Sequence, residues 1–340
     1  MDIARVARRI RVSPVVTKPK LAVFGLIGLN ARAERKLDLY LARRTYRKAH
    51  GRYPDLAHPV LFTEKVTARK LFEQRPIFAM LSDKLLSREF VADRMGRQYL
   101  PRLYGAYERF EDIDFSRLPG RFVIKTNHGS HFVLIADGKK PFDKNDARRL
   151  VRRWMRTNYY AGSREKFYRY VDRKIMVEEF LEEPSGTPAI DYRFFVYDGV
   201  AKFFYASFKP DVGDEEAKVF AETGGRDLAF FDRECRRLPV RLIMPGMQPA
   251  PAAFFKNPGR LAAFPIPSNM EEMFDIAGRI GRGFDFLRVD MYNPGGRILF
   301  GEFTTLPGGG VRPFDPPSYD LIFSEPWKLK LSDAVSGADT

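Results

Sequence analysis

The sequence predicts an α+β fold, arranged as one domain with lobes or as two domains, and three observations carry that prediction. Segments with helical periodicity fill the chain as far as Gly96. After Leu118-Pro119-Gly120 the pattern turns to short runs rich in β-branched and aromatic residues, Phe122-Val123-Ile124 and Ile175-Met176-Val177 among them. Two later stretches carry turn residues between alternating runs, at Asp198-Gly199 and at Asn293-Pro294-Gly295-Gly296.

Composition sets the outer limits. With 340 residues and 44% hydrophobic content the chain can bury a large core. Cys235 is the single cysteine, so no internal disulfide and no thiolate metal site is available, and a reducing compartment is expected. The formal charge is +15, and residues 1–60 hold fourteen basic against four acidic residues. Such a pole attracts anionic lipid, acidic glycan or nucleic acid without choosing among them.

Taken in order, Ile3, Val6, Ala7 and Ile10 recur at helical spacing between Arg5, Arg8 and Arg9. Residues 1–20 are therefore expected to touch an anionic membrane peripherally. The longest apolar run, Leu21 to Leu29, is far short of the ~20 residues that span a bilayer. The run is short and a large basic helix follows it directly, so a cleaved signal is not expected. Residues 31–49 form a helix ended by Gly51, residues 62–74 another closed by Pro76, and Ile77 to Met95 a third with Lys84 and Arg88 on one face. Arg121 to Lys125 is a strand, Thr126 to Ser130 a small-residue loop, Phe132 to Ala136 a strand, and 143–160 an arginine-rich helix. Ile175 to Leu181 is a buried strand carrying Glu178 and Glu179, one of which must face a polar group.

The Asp198-Gly199 turn places Phe195 opposite Lys202, so that Asp191, Arg193 and Lys202 share one face. Residues 209–267 read as long loops with short strands, and Ser268-Asn269-Met270-Glu271 as a capping box opening a helix towards Gly281 or Gly283. The last dozen residues read as a loose tail. Domain boundaries are expected at 1–60 (basic helical extension), 61–120 (helical part), 121–180 (first strand-rich lobe), 181–325 (second lobe) and 326–340 (tail).

Phe286 to Tyr292 alternates like a strand, placing Arg288 and Asp290 on one face, while Glu302 and Thr304 share a face of the returning strand. A five-residue loop, 293–297, sets Asp290 opposite Phe300 and Glu302 opposite Arg288, diagonal to Asp290. A loop one residue shorter turns Glu302 away, so a shared metal requires an odd loop or a bulge. A salt-bridged hairpin, Arg288 with Glu302, is the competing structural reading. Lys125 before a small-residue loop is placed to meet phosphate, with the amides of Gly129 and Ser130 closing over it. No Walker loop, dinucleotide-binding glycine pattern, nucleophile elbow or kinase catalytic loop is present. Asp112-Ile113-Asp114 matches the metal motif of glycosyltransferases, but in an acidic run it reads better as a solvated loop.

The order of short motifs is more specific than any one of them: Phe62-Thr63-Glu64-Lys65, Asp83-Lys84 with Arg88-Glu89, Phe122 to Ser130, Val177-Glu178-Glu179, Asp191-Tyr192-Arg193, Arg288-Val289-Asp290 and Phe300-Gly301-Glu302-Phe303-Thr304. Over residues 50–322 the chain resembles the TupA-like ATP-grasp family, associated with bacterial cell-surface polysaccharide and teichuronopeptide synthesis. The resemblance implies an ATP-grasp fold, two α+β lobes clasping ATP and Mg2+, and a ligase joining a carboxylate to an amine through an acyl-phosphate. It implies Lys84 and Lys125 on phosphates, Gly129, Ser130 and His131 as the loop above them, and Glu178, Glu179 and Asp191 around the nucleotide. Asp290, Glu302 and Thr304 would hold metal, with Thr304 standing where many ATP-grasp enzymes carry Asn. Arg288, Arg193 and Lys202 would assist the transfer. An acidic or lipid-linked glycan is the expected partner, at the cytoplasmic face of the membrane, with no specific nucleic acid. A kinase, a glycosyltransferase and a non-catalytic binder of anionic polymer are the alternatives.

Overall fold

The computed structural model describes residues 19–208, 227–243, 264 and 266–331. The expected membrane-contacting segment 1–18 and most of 209–267 lie outside the described residues. Among the described residues no helix is long and apolar enough to cross a membrane.

Helix α1 (Pro19–His50) ends one residue before Gly51, which adopts φ +73°, as its C-terminal glycine requires. It is no detached extension, since its buried Asp38 bonds Arg164 and Tyr160, and its buried Tyr46 meets Thr63. Helix α2 (Phe62–Phe72) follows as expected. The single helix expected over 77–95 is instead two, α3 (Pro76–Ser82) and α4 (Lys84–Met95). Asp83 is the reason: its carboxylate accepts from the amides of Leu85 and Leu86 and so starts a new helix. The expected capping box is also absent. Helix α7 (Met270–Gly281) begins after Asn269, whose side chain bonds Asn293 and the Gly296 carbonyl across the molecule.

Two antiparallel sheets organise the rest, beside a two-stranded pairing of β9 (Arg241–Leu242) with β12 (Phe314–Asp315). The smaller has the order β1-β4-β2-β3, from β1 (Leu103–Tyr107), β2 (Phe122–Thr126), β3 (Val133–Ala136) and β4 (Ile175–Glu179). Strand β1 falls inside the region expected to be helical, so the four-stranded sheet draws on residues before 121. One sheet face, with Phe122, Ile124, Ala136, Ile175 and Val177, packs on Ala147, Val151 and Trp154 of α5 (Lys144–Arg156). The larger sheet has the order β11-β10-β5-β6-β7-β8, from β5 (Asp191–Tyr197), β6 (Val200–Phe208), β7 (Asp227–Asp232), β8 (Arg237–Leu238), β10 (Leu287–Tyr292) and β11 (Leu299–Thr304). Helix α7 covers its back, setting Met273, Phe274, Ala277 and Ile280 against residues such as Phe194, Val196, Phe204 and Val289.

The described end of the chain is anchored rather than loose. Trp327 is buried, its indole N–H donates to Asp285 at 3.0 Å, and its carbonyl accepts from Lys65 at 2.6 Å. Asp285 also pairs at 2.6 Å with Arg69, itself fully buried.

Candidate active site

The site lies where the face of the larger sheet turned away from α7 comes near the smaller sheet. On the larger sheet Asp290 pairs with Arg193 of β5 on one side and with Glu302 of β11 on the other. The loop is six residues, 293–298, with Tyr292 opposite Leu299. An even loop alone would turn Glu302 away; Gly301 is bulged out, and the register returns with Asp290 directly opposite Glu302. The expected pairing of Asp290 with Phe300 and Glu302 with Arg288 is therefore corrected: Arg288 faces Thr304, and Met291 faces Phe300. The position suits glycine, because an added Cβ would lie 3.1 Å from the Asp290 carbonyl oxygen and 3.0 Å from the Tyr292 ring.

Arg288 forms its ion pair along its own strand, donating to both carboxylate oxygens of Asp290 at 2.7 and 2.5 Å and to the Tyr205 hydroxyl at 2.9 Å. It remains 3.9 Å from Glu302. Arg193 donates to Asp191 at 2.9 Å and lies 3.8 Å from Asp290. Lys84 reaches in from the start of α4, 3.4 Å from Glu302, and donates to the Gly129 carbonyl at 2.8 Å. Burial lifts the Asp290 carboxyl above the usual carboxylate range despite Arg288, with Asp191 adding to the rise. Burial works against ionising Glu302 as well, but Lys84, Arg288 and Lys125 outweigh it and hold its carboxyl below the ordinary value.

A bulge also corrects the second hairpin. Phe195 pairs with Phe203, not with Lys202, and Lys202 is exposed. Tyr205 stands opposite Arg193 instead. Thr304 stands directly opposite Arg288, two residues along β11 from Glu302.

On the smaller sheet the register sets Val123, Lys125, Val133, Ile135 and Glu178 on one face. Lys125 pairs with the buried Glu178, which also lies 3.6 Å from Arg88. Val133 and Ile135 are 45% and 51% exposed, large apolar side chains left uncovered beside that ion pair. Glu179 points the other way, to Arg297 of the larger lobe at 2.5 Å and to the Arg102 amide. It therefore ties the lobes together on the opposite side from Glu178.

The loop between β2 and β3 is held from behind. Asn127, buried, donates to Asp83 at 3.0 Å and to the Asp172 carbonyl, while its own carbonyl accepts from the Lys84 amide. This fixes Lys84 relative to the loop. Gly129 has φ +77°, and a Cβ there would come within 2.8 Å of the Phe132 and Tyr159 rings. Ser130 and His131 follow, both exposed, His131 with φ +64°. His128 is buried, and burial followed by repulsion from Arg173 pushes its pKa down to about 4, although the Trp154 and Thr157 carbonyls favour the charged ring. The neighbours that sequence reasoning missed are Tyr205, Tyr168 and Glu165. Tyr205 was hidden by a bulge. Glu165 and Tyr168 lie in an irregular stretch with no motif signal, and burial, against the pull of Lys70 and Lys84, lifts Glu165 to about 7.

Asp290 and Glu302 fit magnesium as a two-carboxylate platform that leaves other positions to phosphate and water. Among the described residues no group of three or more His, Cys, Asp or Glu forms an all-protein cage. An unsatisfied acceptor supports the fit: one Asp191 oxygen is buried without a hydrogen bond on the strand beside Asp290. On the other sheet, an apolar strip beside Lys125 fits a nucleotide base and its phosphates.

Two antiparallel sheets joined by helices, with Lys84 and Lys125 near the paired carboxylates of the larger sheet, define an α+β fold. The sequence profile described as TupA-like ATPgrasp matches residues 64–223 and 255–328, and the chain belongs to that family. Solved structures resembling it include D-alanine–D-alanine ligase from Bacillus anthracis, at 15% identity and a TM-score of 0.40, covering 76% of this chain and 68% of that one. The same enzyme complexed with ATP gives 14% and 0.34, covering 67% and 54%. The ATP-grasp ligase PsnB complexed with a minimal precursor, Mg and ADP gives 11% and 0.36, covering 86% and 66%. In the matches to the ATP-bound enzyme and to PsnB with its precursor alone, this chain spans about half the neighbour's length. No curated protein matches the chain.

Proposed function

We propose that the protein is an ATP-dependent carboxylate–amine ligase acting through an acyl-phosphate on a cell-surface polysaccharide or its precursor. The observation that carries this reading is the direct pairing of Asp290 with Glu302, achieved by the Gly301 bulge, with Lys84 at 3.4 Å and Arg288 bonded to Asp290. Phosphoryl transfer needs positioning and charge neutralisation more than a protein nucleophile. This cluster offers that and holds no triad. Val133 and Ile135 would receive the base, Lys125 and Lys84 the phosphates, and Asp290 with Glu302 the magnesium. When bound, magnesium would neutralise charge on the phosphate oxygens. Arg288 and Lys84 would hold the transferring phosphoryl, and Tyr205 and Arg193 keep Arg288 and Asp290 aimed. The carboxylate would attack the γ-phosphorus, ADP would leave, and an amine would displace phosphate from the acyl-phosphate.

The test is thermal stabilisation by magnesium-ATP, then ADP release measured with carboxylates and amines singly and together. Release that requires both supports the ligase. Release without amine, with a stable phosphorylated product, makes the protein a kinase. Stabilisation by a nucleotide-sugar rather than ATP would favour a glycosyltransferase, although Asp112 is engaged by Arg109 and Asp114 bonds Ser116.

A further inference from the structure

Helix α1 holds two acidic residues, Glu34 and Asp38, and both turn toward the body of the protein. Asp38 is buried and accepts from Arg164 at 2.6 Å, while Glu34 accepts from the Tyr160 hydroxyl at 2.8 Å and pairs with Arg169. Ala42 and Tyr46, also buried, continue that inner face. Helical spacing sets Leu37, Tyr40, Arg44 and Arg47 on the opposite side at i, i+3, i+7 and i+10, with Lys36 and Lys48 flanking them. Leu37 is 46% and Tyr40 58% exposed. Lys36, Arg44, Arg47 and Lys48 are exposed and pair with no carboxylate among the described residues. Arg47 instead donates to the hydroxyl of Tyr53, another half-exposed ring, at 2.9 Å.

A single exposed leucine is ordinary in a folded protein. Two large apolar side chains one turn apart, on a helix face that carries cations and no carboxylate, are the pattern of a helix lying in a lipid interface. Tyr40 suits the headgroup layer, where its ring is in apolar surroundings and its hydroxyl stays wet. An acidic polymer in water would pair with the cations but would gain little from Leu37. The inner face ties this surface to the candidate site. Tyr46 meets Thr63 at 3.0 Å, and His50 meets the carbonyl of Gly310 at 3.1 Å. Gly310 closes the turn Pro307–Gly310, which follows Glu302 and the end of β11.

We propose that the outer face of α1, from Lys36 to Lys48, docks on an anionic lipid bilayer, with Leu37 and Tyr40 among the headgroups and the cations over their negative charges. This docking depends neither on the ligase reading nor on residues 1–18. Through His50 and Gly310 it would fix which side of the candidate site faces the membrane.

The experiment uses the full chain and vesicles of phosphatidylcholine with or without phosphatidylglycerol, part of the lipid being brominated along its acyl chains. Tyr40→Trp sets a reporter on the face, against native Trp154 and Trp327, which are buried. Its added emission should shift to the blue and be quenched by the brominated lipid when phosphatidylglycerol is present, and less so as salt rises. Leu37→Glu/Tyr40→Glu should weaken partitioning into these vesicles by roughly tenfold or more. Lys36→Gln/Arg44→Gln/Lys48→Gln should do the same and flatten the salt dependence. Both sets alter exposed side chains only, so the thermal unfolding temperature should stay at that of the parent chain, which separates lost docking from lost folding. Vesicle binding without quenching at position 40 overturns the proposal, because it puts the contact elsewhere, as on residues 1–18. So does unchanged partitioning of the Leu37→Glu/Tyr40→Glu variant, or no binding to the anionic vesicles at all. Single-stranded DNA or polygalacturonate bound as tightly as the vesicles, and weakened equally by Leu37→Glu/Tyr40→Glu, would make the face a site for acidic polymer instead.

Discussion

The two sheets that face each other handle charge in opposite ways. In the larger lobe, charges are buried and multiply bonded: Arg288 reaches Asp290 and Tyr205, Arg193 reaches Asp191, and Arg69 reaches Asp285 and the Phe286 carbonyl. The smaller lobe sets the Lys125–Glu178 ion pair beside exposed Val133 and Ile135 and a loop that ends in exposed polar residues. A rigid charged platform thus faces a lightly built clamp. Desolvation of the platform's charges is met during folding, so it can hold phosphate oxygens with little reorganisation. The clamp keeps apolar surface open for a ligand to cover.

The strongest way to break this contrast is to attack the platform from behind. Arg69→Met should cost about 3–5 kcal/mol, because it leaves buried Asp285 without its cation. Urea denaturation reads the loss, and Arg69→Met/Asp285→Leu should recover part of it. A small change in the single variant would mean that the larger lobe is not built on satisfied buried charge. Next comes the platform's register. Deleting Gly301 should turn Glu302 off the Asp290 face and reduce ATP-dependent turnover by about 10²–10³-fold, as should Asp290→Asn. A folded deletion variant that keeps both turnover and stabilisation by magnesium-ATP would show that the bulge does not position the site.

The same contrast explains what the sequence made legible. Strand periodicity located Asp290, Glu302, Lys125 and Glu178 on the correct strands, because alternation is a local property. It erred wherever register depended on a single irregular residue. Gly301 and Lys202 each interrupt their pairing, and nothing in a run such as Leu299-Phe300-Gly301-Glu302 marks which residue is squeezed out. Asp83 was read as part of a continuous helix because its capping role depends on the chain turning there, held by Asn127 from a distant loop. Trp327 looked like part of a tail because its partner, Asp285, is distant in sequence. Long-range contacts of this kind leave no periodic trace. The order of short motifs succeeded where periodicity failed, since it reports the whole constellation at once.

A smaller effect sharpens the contrast on the clamp side. His128 has a native pKa near 4 against the ordinary 6.5, so the native protein stays neutral there while the unfolded chain takes up a proton. Stability from this group is therefore lost as pH falls from about 6.5 to about 4, by up to ~3 kcal/mol, and is constant above that window. His128→Phe should flatten this part of the stability–pH profile. An unaltered profile would place the acid sensitivity elsewhere.

The smallest effect concerns the exposed strip. β3 is an edge strand, and uncovered Val133 and Ile135 on an edge invite aggregation unless something covers them in use. If a nucleotide base does so, Ile135→Thr should raise KM for ATP by about three- to tenfold and leave kcat nearly unchanged, since the lost contact is made equally in ground and transition states. Solubility alone predicts the contrary pattern, with unchanged KM and less aggregation. The KM-against-kcat split thus decides whether the light construction of this lobe serves binding or is only an unprotected edge.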